Sequence, residues 1–228
     1  MRFRAALGPW LALVLAAAPA VAAESLENLL ARMDQAAASF RSMTADVRRV
    51  EHTAVINDDT VDTGNMWLKR AKHDIRMRVE FLQPDRKSVA MHESKVEIYY
   101  PKQHTVDEYD IGNHRELLDV FLLVGFGTSG KDLDAAYSMR VAGDEETAGQ
   151  KTTRLELVPK SAEVLHNLKK LELWISATDT YPVQQKFYLS AGDYQLVTYT
   201  NVKMNPPLSD SDLKLKLPRD VKRVFPQK

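Results

Sequence analysis

The sequence predicts a mainly β domain: one antiparallel sheet of about eleven strands, curled into an unclosed barrel, with an N-terminal helix and short lid helices over the concave face. Three observations predict it. Apolar and polar residues alternate with a period of two in segment after segment, turn-forming residues separate these segments at short spacings, and the helical period appears in only a few places.

Residues 74–82 read D-I-R-M-R-V-E-F-L, which puts Ile75, Met77, Val79 and Phe81 on one face and Arg76, Arg78 and Glu80 on the other. That is the pattern of a half-buried strand. The same period recurs in 154–158, in 170–175 with Leu171, Leu173 and Ile175 together, in 183–189, and in 213–217, where leucines alternate with Lys214 and Lys216. Between the segments stand Asn57-Asp58-Asp59, Gln83-Pro84-Asp85, Tyr100-Pro101-Lys102, Ala191-Gly192-Asp193 and Asn205-Pro206-Pro207. Connections this short join antiparallel neighbours. A sheet of so many strands twists and curls, and its apolar concave face must be filled or covered.

Leu26, Leu29, Leu30, Met33, Ala37 and Phe40 follow the 3.6 period, so 25–41 is expected to be an amphipathic helix capped by Ser25. A second helix is expected from Asn113, with Glu116 completing a capping box and Leu117, Leu118, Phe121 and Leu122 as its apolar stripe. A third, shorter one is expected over about 130–137.

At the N-terminus Arg2 and Arg4 precede an apolar run over 5–18, and small residues follow at Ala20, Val21, Ala22 and Ala23. This is the layout of a cleavable secretory signal, so residues 1–23 are expected to be removed and 24–228 to form one exported domain. Later apolar stretches are all broken by charge, and the mature chain is expected to be soluble. With no cysteine, stability must come from the core and not from disulfides. Nor does a cysteine stand at the cleavage site for lipid attachment. Without Arg2 and Arg4 the 31 basic residues become 29 against 31 acidic ones, a formal charge of −2. That balance gives no nucleic-acid signature.

Gly125-Phe126-Gly127-Thr128-Ser129-Gly130 matches G-x-G-x-x-G, but the preceding residues read as helix and no βαβ pattern surrounds them. The segment reads instead as a loop between two lid helices, with glycines able to serve as a hinge. Six histidines include no pair at the spacing of a helical zinc site. No G-x-S-x-G elbow is present, and no set of nucleophile, base and orienting group can be named, so no catalytic role, metal or cofactor is expected. Met66, Met77 and Met91 fall on three successive expected strands, where flexible thioethers suit either a variable apolar ligand or an ordinary core.

Several segments resemble, in the same order, those of the LolA-type periplasmic carriers, the outer-membrane lipoprotein-sorting family. They are G-N-M-W-L-K-R at 64–70, the stretch 89–101 ending in Y-Y-P, the pair Y-P-V-Q-Q-K-F at 181–187 and T-Y-T-N-V at 198–202, and L-K-L-K-L-P-R-D-V at 213–221. The family's usual proline after the arginine is Ala71 here, and its usual D-G turn is Glu93-Ser94, which marks a divergent branch.

The resemblance implies an unclosed barrel of eleven strands whose cavity holds the acyl chains of a lipoprotein. The last segment would be the closing strand. Cavity-lining positions would then be Met66 and Leu68, Ile75, Met77, Val79 and Phe81, and Val89, Met91 and Ile98 on the first strands. Leu117, Leu118, Phe121 and Leu122 would line it from the lid, and Leu171, Leu173 and Phe187 from the far strands. Arg70 stands where the family's arginine bonds to the lid; without the resemblance it reads equally as a solvated strand arginine. Gly125, Gly127 and Gly130 would be its hinge.

The implied partners are an inner-membrane lipoprotein-releasing transporter and an outer-membrane acceptor, with the carrier a monomer in the periplasm. The alternative is a periplasmic lipid- or lipoprotein-sensing regulatory module on the same half-barrel. Such modules usually carry a further C-terminal domain, and the end of this chain soon after residue 221 favours the carrier.

Overall fold

The computed structural model describes residues 24–71, 74–110, 112 and 124–226. The leader (1–23) and the helix expected from Asn113, with Leu117, Leu118, Phe121 and Leu122, lie outside the described residues.

Twelve described strands form one open sheet: β1 (Ser42–Thr53), β2 (Asp58–Ala71), β3 (Asp74–Gln83), β4 (Lys87–His92), β5 (Lys95–Tyr100), β6 (Thr105–Asp110), β7 (Tyr137–Thr147), β8 (Gln150–Pro159), β9 (Leu168–Ser176), β10 (Pro182–Leu189), β11 (Tyr194–Met204) and β12 (Lys222–Val224). Their order is β12-β6-β5-β4-β3-β2-β1-β11-β10-β9-β8-β7. β1 therefore lies inside the sheet. One meander runs from it to β6, the chain then transfers to the far edge at β7, and a second meander returns to pair β11 with β1. The expected open, antiparallel, mainly β architecture is what the chain forms.

Register carries the concave face across the strands. Met66 pairs with Val79 and Val79 with Val89; Leu68 pairs with Met77 and Met77 with Met91. On the other half Leu155 pairs with Leu173 and Leu173 with Gln185, while Leu157 pairs with Leu171 and Leu171 with Phe187.

Three α-helices are described. α1 (Leu26–Ser39) starts at Ser25, whose hydroxyl accepts the Asn28 amide at 3.2 Å, and buries Leu29, Met33 and Ala37. α2 (Gly130–Ala136) starts at Ser129, and α3 (Ala162–Asn167) at Ser161. The sequence pattern did not mark α3, which is too short for a helical period to emerge.

Two apolar clusters result. One joins Leu29 and Met33 of α1, Leu133 of α2 and the leucines of β8 and β9; the other joins Phe40, Met43, Val47, Met66, Leu68, Met77, Val79, Phe81, Met91, Phe126 and Tyr199.

The C-terminal segment departs from the expected closing strand at 213–221. After β11 the chain crosses the convex face: Asp210 takes ion pairs from Lys69 (3.0 Å) and Arg76 (2.9 Å), and the Lys214 carbonyl accepts Arg78 at 3.3 Å. Arg78 in turn stacks over Trp67, 4.1 Å from the ring centroid. The alternation of 213–217 is that of a strap lying flat on a sheet, with Leu213 buried and Lys214 and Lys216 exposed. Only at β12 does it join the sheet, in parallel with β6, the one parallel pairing among the described strands.

Candidate functional site

β1, β2, β3, β4, β10 and β11 together line a partly open, mainly apolar cavity of about 200 Å³ on the concave face. Of the residues expected there, Met66, Met77, Val79, Phe81, Val89 and Phe187 line it. Val47, Arg49, Gln185, Gln195, Val197 and Tyr199 line it too and escaped the sequence reading. The missed positions lie on β1, β10 and β11, where Arg49, Gln185 and Gln195 are polar residues on inward faces and so did not read as apolar lining. Met43, Ala45 and Val47 were the signal that β1 belonged to the same wall.

The remaining expected positions divide. Leu68 and Met91 lie buried in the cluster beneath the cavity, and Ile75 packs against that cluster. Ile98 on β5 pairs with Val89, beyond the lining. Leu171 and Leu173 are fully buried with Leu29, Met33 and Leu133 and do not reach the cavity, because α1 and α2 fill the concave face there.

The turn 124–127 packs against the cavity-lining Gln185 and Tyr199, and two sets of bonds hold that turn in place. Arg70, near the end of β2, donates from Nη1 to the Ala37 carbonyl of α1 (2.9 Å) and from Nη2 to the Gly127 carbonyl, and its guanidinium lies over Phe40 at 5.5 Å. From the opposite wall, Gln185 donates from Nε2 to the Val124 carbonyl and accepts the Tyr199 hydroxyl at 2.7 Å. Phe126 meets Tyr199 edge to face, with centroids 4.9 Å apart. Burial pushes the Tyr199 phenol well up, so it stays a neutral donor. Gln185 and Tyr199 thus face the cavity and clamp the turn at once.

Glycine is required at position 127. Its φ is +77°, and a Cβ there would lie 2.6 Å from both Arg70 Nη2 and Phe40 Cδ1. Gly125 also has a positive φ, of +92°. Gly130 differs from the hinge expectation: it begins α2 hard against α1, where a Cβ would come 2.9 Å from the Leu30 carbonyl oxygen, so its small size serves close packing.

The G-x-G-x-x-G segment offers no free helix start for a phosphate. Asp34 accepts the Gly130 amide at 2.7 Å, and the Ser129 hydroxyl accepts the Asp132 amide at 3.1 Å. Among the described residues no group of three or more His, Asp or Glu side chains could hold a metal ion, and no helix is long and apolar enough to cross a membrane. A wider, shallower depression of about 600 Å³ lies near the β1–β11 bulge, lined in part by Asp46, Asn65 and Asn201. Both asparagines donate to Asp46 at 2.6 Å, so these polar groups satisfy one another.

With this geometry, the chain resembles several solved structures. An uncharacterized conserved protein from Thermus thermophilus is 15% identical, with 87% of this chain and 98% of that one covered and a TM-score of 0.55. MucB is 16% identical, with 83% of this chain and 62% of that one covered and a TM-score of 0.52. The likeness is one of fold. This chain thus spans about six-tenths of MucB. The neighbours also include a LolA superfamily protein from Nitrosomonas europaea, 13% identical over 84% of this chain and 98% of that one, with a TM-score of 0.41. No protein-family model matches the chain, and no curated protein matches it.

Proposed function

We propose that the protein is a periplasmic carrier which binds the acyl chains of lipoproteins in the cavity between β1–β4 and β10–β11 and moves them from the inner to the outer membrane. The observation that carries this reading is an apolar cavity on the concave face, lined by Val47, Met66, Met77, Val79, Phe81, Val89 and Phe187, beside a turn tied by Arg70 and Gln185. The secretory layout of residues 1–23 and the ordered resemblance of 64–70, 89–101, 181–187 and 198–202 to the LolA-type carriers support the compartment and the cargo.

The physical need is plain. An acyl chain of about 15 methylenes, at ~0.8 kcal/mol each, is held in a membrane by roughly 12 kcal/mol, so it cannot cross water bare. A carrier must replace most of that contact and still let go. The cavity, at about 200 Å³, is smaller than the roughly 300–1,000 Å³ typical of small-molecule sites. Several chains therefore need the cavity to widen, by movement of the turn 124–127 that packs on Gln185 and Tyr199. Arg70 is the lid latch, Gly125 and Gly127 are its hinge, and an inner-membrane transporter and an outer-membrane acceptor are the partners. The protein acts by binding, as a monomer, and not as an enzyme.

The likeness in fold to MucB favours a second reading, a lipid- or lipoprotein-sensing regulatory module. Native mass spectrometry with lipid extraction, on the mature protein from the periplasm of its own host, separates the two. Acylated lipoprotein at one per chain supports the carrier; a co-purifying regulatory protein in its place supports the sensor.

A further inference from the structure

The wall of the cavity changes character within one residue step. Along β1 the inward position after Val47 is Arg49, and opposite it on β2 stands Asp62. One strand further, Phe81 of β3 pairs with Lys87 of β4. Asp62 accepts Arg49 through Nη2 and through Nε at 3.1 Å, and accepts Lys87 Nζ at 3.1 Å. Both cations also lie over the Phe81 ring, at 4.7 and 5.0 Å from its centroid. Phe81 and Arg49 line the cavity.

Two cations on one carboxylate exceed what neutrality requires. Asp62 is only 3% exposed and balances one of them, so a formal positive charge remains at the edge of an apolar surface. Glu51 reaches Arg49 at 3.6 Å, but its side chain is more than half exposed, where water and salt weaken its influence. Arg49 and Lys87 are meanwhile held in place by Asp62, so little side-chain freedom remains to be lost when a further anion arrives. A guanidinium fork beside an ammonium suits a carboxylate or a phosphate oxygen.

We infer that Arg49 and Lys87 form the polar-head subsite of the cavity. It receives the anionic end, carboxylate or phosphate monoester, of a single-chain amphiphile whose chain runs over Phe81 toward Val79 and Met77. This rests on the acyl-binding reading above and adds a selectivity to it: among ligands with the same chain, the site prefers the one with a negative head.

The test is displacement of the neutral fluorophore N-phenyl-1-naphthylamine from the purified mature chain by palmitate, palmitoyl-glycerol phosphate and monopalmitoyl glycerol, at low and high salt. The two anionic ligands should bind about tenfold more tightly than the neutral one. That advantage should shrink with salt and disappear in Lys87→Gln, which should bind all three ligands within about twofold of one another while its circular dichroism spectrum matches that of the parent chain and so reports an intact fold. Arg49→Lys keeps the charge but loses the fork, and should retain only part of the preference. Preference for palmitate alone or for the phosphate alone would support the subsite and name its head. Equal binding of all three ligands by the unaltered chain, or an equal loss of all three in Lys87→Gln, would overturn it while leaving acyl binding in place. Failure of all three to displace the fluorophore would overturn the acyl-binding reading itself.

Discussion

The two halves of the concave face are built from the same alternating strands and end up as different materials. Over β8 and β9 the inward residues Leu155, Leu157, Leu171, Leu173 and Ile175 are completely buried, sealed by Leu29 and Met33 of α1 and by Leu133 of α2. Over β1–β4 the inward residues Val47, Met66, Met77, Val79 and Phe81 keep 5–8% of their surface and face a cavity. What distinguishes them is the cover. Helices with apolar stripes close the first half, whereas the second is bordered by the turn 124–127, tied by Arg70 and Gln185 and packed through Phe126 on Tyr199. One half is core and the other is available space.

Stability should break that symmetry most strongly. Leu171→Ala removes a fully buried side chain from the sealed half and is expected to cost about 2–5 kcal/mol in urea denaturation. Met77→Ala, beside space that already exists, should cost less and should alter fluorophore binding, which Leu171→Ala leaves alone in the folded fraction. Equal stability losses would erase the distinction.

The cover comes next. Arg70→Met deletes two hydrogen bonds from a charged donor, each of about 1.5–3 kcal/mol at most, so amide exchange over 124–136 should quicken at least tenfold while that of β8 and β9 holds. Unchanged exchange over 124–136 would remove Arg70 from the latch. Gly127→Ala should act in the same direction through a Cβ crowded by Phe40 and by Arg70 itself, with a stability loss above ~1 kcal/mol that a melting curve reads.

The smallest effect is the pH dependence of the charged edge. Burial raises the Asp62 carboxyl, but the bonds from Arg49 and Lys87 outweigh it and hold the group below its ordinary value. A group depressed in the folded state contributes stability that is complete above its unfolded pKa of about 3.9 and is lost as pH falls through the folded value. The acid loss of stability below about pH 4 should therefore be shallower in Asp62→Asn than in the parent chain, while between pH 6 and 8 the variant is less stable by an amount that does not change with pH. A parallel acid slope in both would mean that this cluster carries no such linkage.

The sequence made the sheet legible because alternation is a direct image of a pleated, one-sided surface, as at Ile75, Met77, Val79 and Phe81. It also marked α1 and the Ser25 cap. Alternation alone does not reveal which half stays open: Leu171 and Leu173 alternate as cleanly as Met77 and Val79, and only α1 and α2, distant in sequence, decide that the former become core. Arg49, Gln185 and Gln195 were hidden for the opposite reason, being polar residues on an apolar wall. The strap at 213–217 imitates a strand since lying on a sheet imposes the same two-sidedness as lying in one.

The division of the face can be read directly from the methionines. In a sample with isotope-labelled methionine methyls, titration with monopalmitoyl glycerol should shift and broaden the signals of Met66 and Met77, which line the cavity, with a smaller response at Met91 beneath it. Met33, on the buried face of α1, should stay in place. Shifts concentrated at Met33, or no shift at any buried methionine, would contradict the assignment of the β1–β4 half as the acyl site.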